Sequence, residues 1–334
     1  MDDRYLWDRS GPSDVEVERL EKRLGRFRHD RRPLRLPGQR RPSARPILAA
    51  AAVLLAGAGL LLVAHSGAAP QWRVERLQGS PVVGSKPITQ AEPLRVGESV
   101  VTDGSSRAKI GIGRIAEVSV GPNSRVRLVR SRPIEQRLAL DRGAISAKIW
   151  APPRLFFIQT FSALAVDLGC AYTLEVDDSG AGILRVETGW VSFERDGRES
   201  IVPAGAVCAT RPAEGPGTPY YEDATPELRR ALESLDFGSG GSDALSTILA
   251  GARKRDGLTL WHLLARTRGA DREKVFDRLA RLVPPPPAVT RDAVLRGEER
   301  ALETWRWKLE GMPLLPREGT FSSFWRSLWF LFAT

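Results

Sequence analysis

Residues able to do chemistry are few and scattered in this chain. The three histidines, His29, His65 and His262, fall in three separate regions and form no local ligand set. No HExxH, CxxC, nucleophile elbow or Walker loop occurs. His262 follows Trp261 in a helical run and reads as a packing or surface residue rather than a base. Asp177-Asp178 precedes Ser179-Gly180, a tight turn that needs no catalytic explanation. Cys170 and Cys208 lie 38 residues apart. They admit two states: a disulfide, worth ~3–4 kcal/mol in the loop-entropy picture, or two buried free thiols. The reading is of a non-enzyme with no catalytic residue, no cofactor and no metal site.

What must position such residues is set first by charge. The chain has 334 residues, enough for two or three pieces. With 42% hydrophobic and 27% charged residues, whole-chain disorder is excluded. The 50 Lys and Arg outnumber the 40 Asp and Glu, for a net +10. Residues 1–45 hold 13 of the basic and 8 of the acidic residues, so half of the excess sits there. Ten basic residues crowd Lys22–Arg45 against one acid, Asp30. From Pro46 to Trp72 no side chain is charged, and Ile47–Val63 is wholly Ile, Leu, Val, Ala and Gly. A transmembrane helix is expected over 46–66, its apolar core covering ~25 Å at helical rise. The preceding arginines then place 1–45 in the cytoplasm and 70–334 outside. A cleaved signal peptide would have a much shorter lead. The basic excess thus reads as a topology signal, and no nucleic-acid partner is expected.

The first 45 residues predict a short cytoplasmic helix. Ser13 can cap it, and Asp14 and Glu16 suit its positive end. Val17, Leu20, Leu24 and Phe27 recur at helical spacing, below an aromatic tip that includes Tyr5 and Trp7. So short a segment cannot build a sizeable core of its own. These six residues are the candidate partner-binding set, in the manner of helix-in-groove anchors. The alternative is a basic anchor, with Arg31–Arg45 on anionic lipid.

From Trp72 to about Thr210 short strand-like runs alternate with turn signals such as Asp103-Gly104, Gly121-Pro122-Asn123 and Asp196-Gly197. The runs are Ala108–Ile112, Glu117–Val120, Arg125–Val129, Ile145–Ile149, Leu155–Gln159, Tyr172–Val176, Ile183–Glu187, Trp190–Glu194 and Glu199–Val202. Together they predict an all-β sandwich or roll over 72–218. Six short motifs follow in order: Val100–Ala108, Val118–Leu128, Leu140–Ile145, Val166–Leu174, Val186–Val191 and Val202–Gly205. In that order, after an apolar span, they resemble the FecR-like periplasmic domain across about 95–210. The usual Asp-Gly turn is replaced by Gly113–Glu117, and the usual Gly-Thr-x-Phe by Gly169–Tyr172.

After Tyr221 the periodicity becomes helical, and an α-helical domain is expected over 225–311. Thr225-Pro226-Glu227 reads as a cap with Pro at the first helical position. Four more helices are expected at 243–252, 259–267, 271–282 and 290–309. The tail 312–334 carries six aromatics within Phe321–Phe332, suited to docking on its own domain, a membrane or a partner.

The expected fold class is therefore mixed and multi-domain: cytoplasmic helix, transmembrane helix, FecR-like β domain, helical domain. The resemblance implies a bacterial inner-membrane, single-pass regulator with periplasmic C-terminal domains. Its N-terminal segment would modulate an extracytoplasmic-function sigma factor, with a periplasmic protein or envelope ligand as the outer signal. The rival reading is a non-signalling anchored module that binds an envelope protein or cell-wall polysaccharide.

Overall fold

The computed structural model describes residues 15–27 and 72–310. Two compact units divide the chain, Met1–Val63 and Ala64–Thr334. In the first unit, α1 (Val15–Leu24) has Glu16 and Glu18 in its first turn and Lys22 and Arg23 in its last, matching the helix dipole. A 3₁₀ turn, Gly25–Phe27, continues it.

The transmembrane helix expected over 46–66 is corrected. Among the described residues no helix is long and apolar enough to cross a membrane. The longest of them has 14 residues, about 21 Å at helical rise against a hydrocarbon core of ~30 Å. Residues 46–66 themselves lie outside the described residues, as do Tyr5, Trp7, Arg31–Arg45 and the tail 312–334.

The second unit begins with two β-sheets. The first runs in the order 91–93, 72–78, 107–112, 116–120, 135–149, 171–176, 182–188 and 206–211, antiparallel throughout. The second holds 82–83, 99–101, 125–132, 135–149, 156–159, 164–167, 190–195 and 198–203. Within it, only Phe156–Gln159 pairs in parallel, with 136–139. Alternation sets the inward faces: in Ala116–Val120 the residues Ala116, Val118 and Val120 are buried. Val74, Ile110 and Tyr172 of one sheet share a core with Leu128, Leu138, Phe156 and Phe193 of the other.

One strand belongs to both sheets. The first part of Glu135–Ile149 pairs with Arg125–Arg132 and its second part with Ala116–Val120 and Ala171–Val176. Gly143 marks the change of sheet. Its φ is 91°, and a Cβ there would collide with Ser124. A glycine lets the chain bend and approach Ser124 closely. The run Ile145–Ile149 expected from sequence is thus the second half of a 15-residue strand.

Among the described residues six helices follow: α2 (Pro226–Phe237), α3 (Gly241–Gly251), α4 (Gly257–Arg266), α5 (Gly269–Leu282), α6 (Arg291–Arg296) and α7 (Glu299–Glu310). Thr225 caps α2 by accepting from the Leu228 N–H at 3.3 Å. The single helix expected over 290–309 is two, because Gly297 takes the left-handed conformation at φ 78° and ends α6. Leu228, Leu232, Leu245, Ile248, Leu260, Leu264, Val275, Leu279 and Trp305 form a second core. Trp305 meets Phe276 edge-on at 5.4 Å.

Candidate functional site

The N-terminal stripe is out in solvent. On α1 and its 3₁₀ turn, Leu20, Leu24 and Phe27 are exposed by 55%, 62% and 78%, and Val17 is half-buried. No residue of α1 is buried. Among the described residues, three of the four apolar side chains of this stripe are exposed and none is buried.

The cysteines are both free and buried, so the disulfide alternative is corrected. Cys208 lies on strand 206–211, opposite Leu184, and Cys170 lies just before strand 171–176. Strand 182–188 runs between them. Two strand spacings is ~9–10 Å, beyond the Cα reach of a disulfide. Each thiol has its own acceptor instead. Cys208 Sγ donates to the Gly217 carbonyl at 3.3 Å and Cys170 Sγ to Asp167 Oδ1 at 2.6 Å. Asp167 is fully buried, and its Oδ2 has no hydrogen-bond partner. Burial pushes its carboxyl up to about 7, against the lowering effect of Cys170 and the Gly169 N–H. Burial, then the neighbouring Asp167, raises the Cys170 thiol far above its ordinary value, which makes it inert as a nucleophile.

A denser polar constellation joins the sheets to the helices. Strand 198–203 is paired with strand 190–195 on one side, and helix α4 lies along the other. The Ile201 N–H donates to His262 Nε2 at 3.2 Å. Arg266, one turn further on α4, donates to the Glu199 carbonyl at 3.1 Å, to Ser200 Oγ at 2.7 Å and to Thr218 Oγ1 at 2.8 Å. Asp236 of α2, 6% exposed, accepts from Arg198 at 2.8 Å and stands 3.6 Å from Arg266. Its other oxygen accepts from the Thr218 N–H at 2.6 Å. Side chains of the helices thus satisfy the outward backbone groups of a sheet edge, which would otherwise invite strand pairing. Beside this junction a groove of about 380 Å³ opens between strand 182–188 and α2. Arg211 and Glu233 pair across it at 2.9 Å, with Arg211 also over the Phe237 ring.

The structure does not bring the sequence-predicted residues into one site. The α1 stripe and the cysteines lie in different units. The junction residues Arg198, Asp236 and Arg266 had no sequence assignment, and His262 was read as packing or surface. The available signal was a His and an Arg four residues apart on an otherwise apolar helix, Gly257–Arg266. Among the described residues no group of three or more His, Cys, Asp and Glu could hold a metal ion.

No family model matches the chain, so the FecR-like resemblance has none behind it. No curated protein matches it. Two crystal structures of a candidate anti-sigma factor from Parabacteroides distasonis ATCC 8503 align with a TM-score of 0.34 and 13% identity. The alignments cover 40% of this chain and 63% and 62% of theirs. The chain therefore spans less than two thirds of the length of those structures.

Proposed function

We propose that this chain is a non-catalytic regulatory protein whose N-terminal segment binds a sigma factor. The observation that carries the reading is the exposed stripe of α1. Leu20, Leu24 and Phe27 are more than half exposed on a helix whose other face is charged. Burying such a stripe in a partner's groove is favourable at roughly 25 cal/mol per Å² of apolar surface, and helical spacing supplies the anchors. The choice of a sigma factor rests on the ordered motifs between Val100 and Gly205 and their resemblance to FecR-like regulators. A second reading, a module that binds an envelope protein or polysaccharide, is favoured by the groove between strand 182–188 and α2.

The test is capture of the source cell's extracytoplasmic-function sigma factors by the full chain and by a Leu20→Glu/Leu24→Glu variant. The expected result is that wild type retains one of them and the variant loses at least tenfold in affinity. Equal retention by both, or retention of none by wild type, removes the reading. Polysaccharide binding that survives the double substitution would favour the second.

A further inference from the structure

We propose that His262 latches the helical layer onto the edge strand 198–203, and that protonation of its ring releases the latch. The geometry presents a choice that the state of the ring decides. Nε2 lies 3.2 Å from the Ile201 nitrogen and 3.3 Å from the Ile201 carbonyl oxygen. A neutral ring with its lone pair on Nε2 accepts the Ile201 N–H. A protonated ring carries hydrogen on both nitrogens. It can then only donate, toward the carbonyl, and the Ile201 N–H is left buried without a partner. Such an orphan costs ~1–3 kcal/mol.

The charges around the ring act in the same direction. Arg266 from α4 itself, Arg306 from α7 and Arg198 from the edge strand all bear on the imidazole. Asp236 of α2 joins the group as the counter-ion of Arg198 and Arg266. A cation at His262 would therefore be the fourth positive group in a buried space. Burial, with Arg266 next, holds the ring well below the usual histidine range, so it is neutral near pH 7. The sign follows from linkage. An undocked, solvated His262 takes up its proton near pH 6.5, and the docked ring does not. Acidification below about 6.5 therefore favours undocking, by about tenfold per pH unit until the docked ring titrates. What undocking uncovers is the outer edge of strand 198–203, including the Ile201 N–H and the Glu199 carbonyl that Arg266 holds.

Amide hydrogen exchange on the full chain between pH 7 and 4.5, corrected for intrinsic rates, tests this. Protection of the Ile201 amide should fall about 50-fold from pH 6.5 to 4.5 in wild type. Over the same range Ile110, in the core of the other sheet, should stay protected. In His262→Gln, whose side-chain oxygen can accept in place of Nε2 without titrating, Ile201 protection should not change with pH. The ring resonance of wild-type His262 gives a readout that needs no variant: while the docked state dominates, it should stay that of a neutral ring below pH 6.5 even as protection falls. Protection that is flat with pH, that falls equally at Ile110 or that still falls in His262→Gln would overturn the latch, as would a docked ring that itself titrates near pH 6.5.

Discussion

Two buried aspartates show how differently the sandwich and the junction treat the same side chain. Asp236 stands between Arg198 and Arg266 and also accepts from the Thr218 N–H and the Thr218 hydroxyl. Asp167 has the Cys170 thiol, the Gly169 N–H and an oxygen with no partner. The first is a charge whose desolvation is offset by two cations and backbone geometry. The second is a charge that burial opposes, so its carboxyl holds its proton up to about 7. The contrast teaches that burial alone does not assign a role. The partners decide whether a buried acid holds two elements together or strains the one it sits in.

The largest effect expected from this contrast is at the junction. Asp236→Ala leaves Arg198 and Arg266 facing each other in a mostly buried space. Breaking a buried ion pair from one side costs ~3–5 kcal/mol. Urea denaturation should show that loss for the second unit, and a loss under about 1 kcal/mol would remove the claim that Asp236 joins the two layers. Asp167→Asn should act with the opposite sign. The folded carboxyl titrates near 7 and the unfolded one near 3.8. The stability linked to that proton is complete below pH 3.8 and is lost as the pH rises to 7. Asparagine keeps an acceptor for Cys170 and Gly169 without ionising. The variant should therefore be more stable than wild type at pH 8, by about 1–3 kcal/mol, with no such advantage at pH 4. Equal pH dependence of the two proteins would show that Asp167 has a partner the geometry does not reveal.

The helical layer gives a smaller, local test. Thr225→Ala removes the acceptor of the Leu228 N–H and should cost about 1 kcal/mol, seen as a small drop in the denaturation midpoint. It also bears on how much of the molecule was legible in the sequence. The Thr225 cap and the stripe of Leu228 and Leu232 are local, and residues three and four apart announce them. The short strands and their turns are local in the same sense. Gly297 was legible only in part: one glycine in a helical pattern signals either a tolerated residue or a stop, and its φ of 78° decides for the stop. Only the second half of the shared strand is legible, because Gly143 reads as a strand entry and is instead a bend between sheets. The junction was not legible. His262 and Ile201 are 61 residues apart, and Arg266 and Ser200 are 66 apart. No periodicity in either segment points to the other. The same holds for the cysteines, whose separation by an intervening strand depends on the order of strands in the sheet.

The smallest effect should come from an ion pair that looks like the one at the junction. Arg185 and Glu175 meet at 3.0 Å across two neighbouring strands of the sandwich, close to the 2.8 Å between Arg198 and Asp236. Distance therefore does not distinguish the two pairs. Exposure does: Arg185 and Glu175 are 38% and 55% exposed, Arg198 and Asp236 30% and 6%. In water-like surroundings a pair gains little Coulomb energy, loses rotamer freedom and is screened by salt. Arg185→Gln should thus change stability by ~0–1 kcal/mol, and 0.5 M salt should erase whatever difference exists. The Asp236→Ala loss should persist in that salt, because Arg266, which loses its carboxylate, is mostly buried. A salt-resistant loss at Arg185 as large as that at Asp236 would mean that strand pairing, rather than burial, sets the strength of these ion pairs, and the comparison would fail.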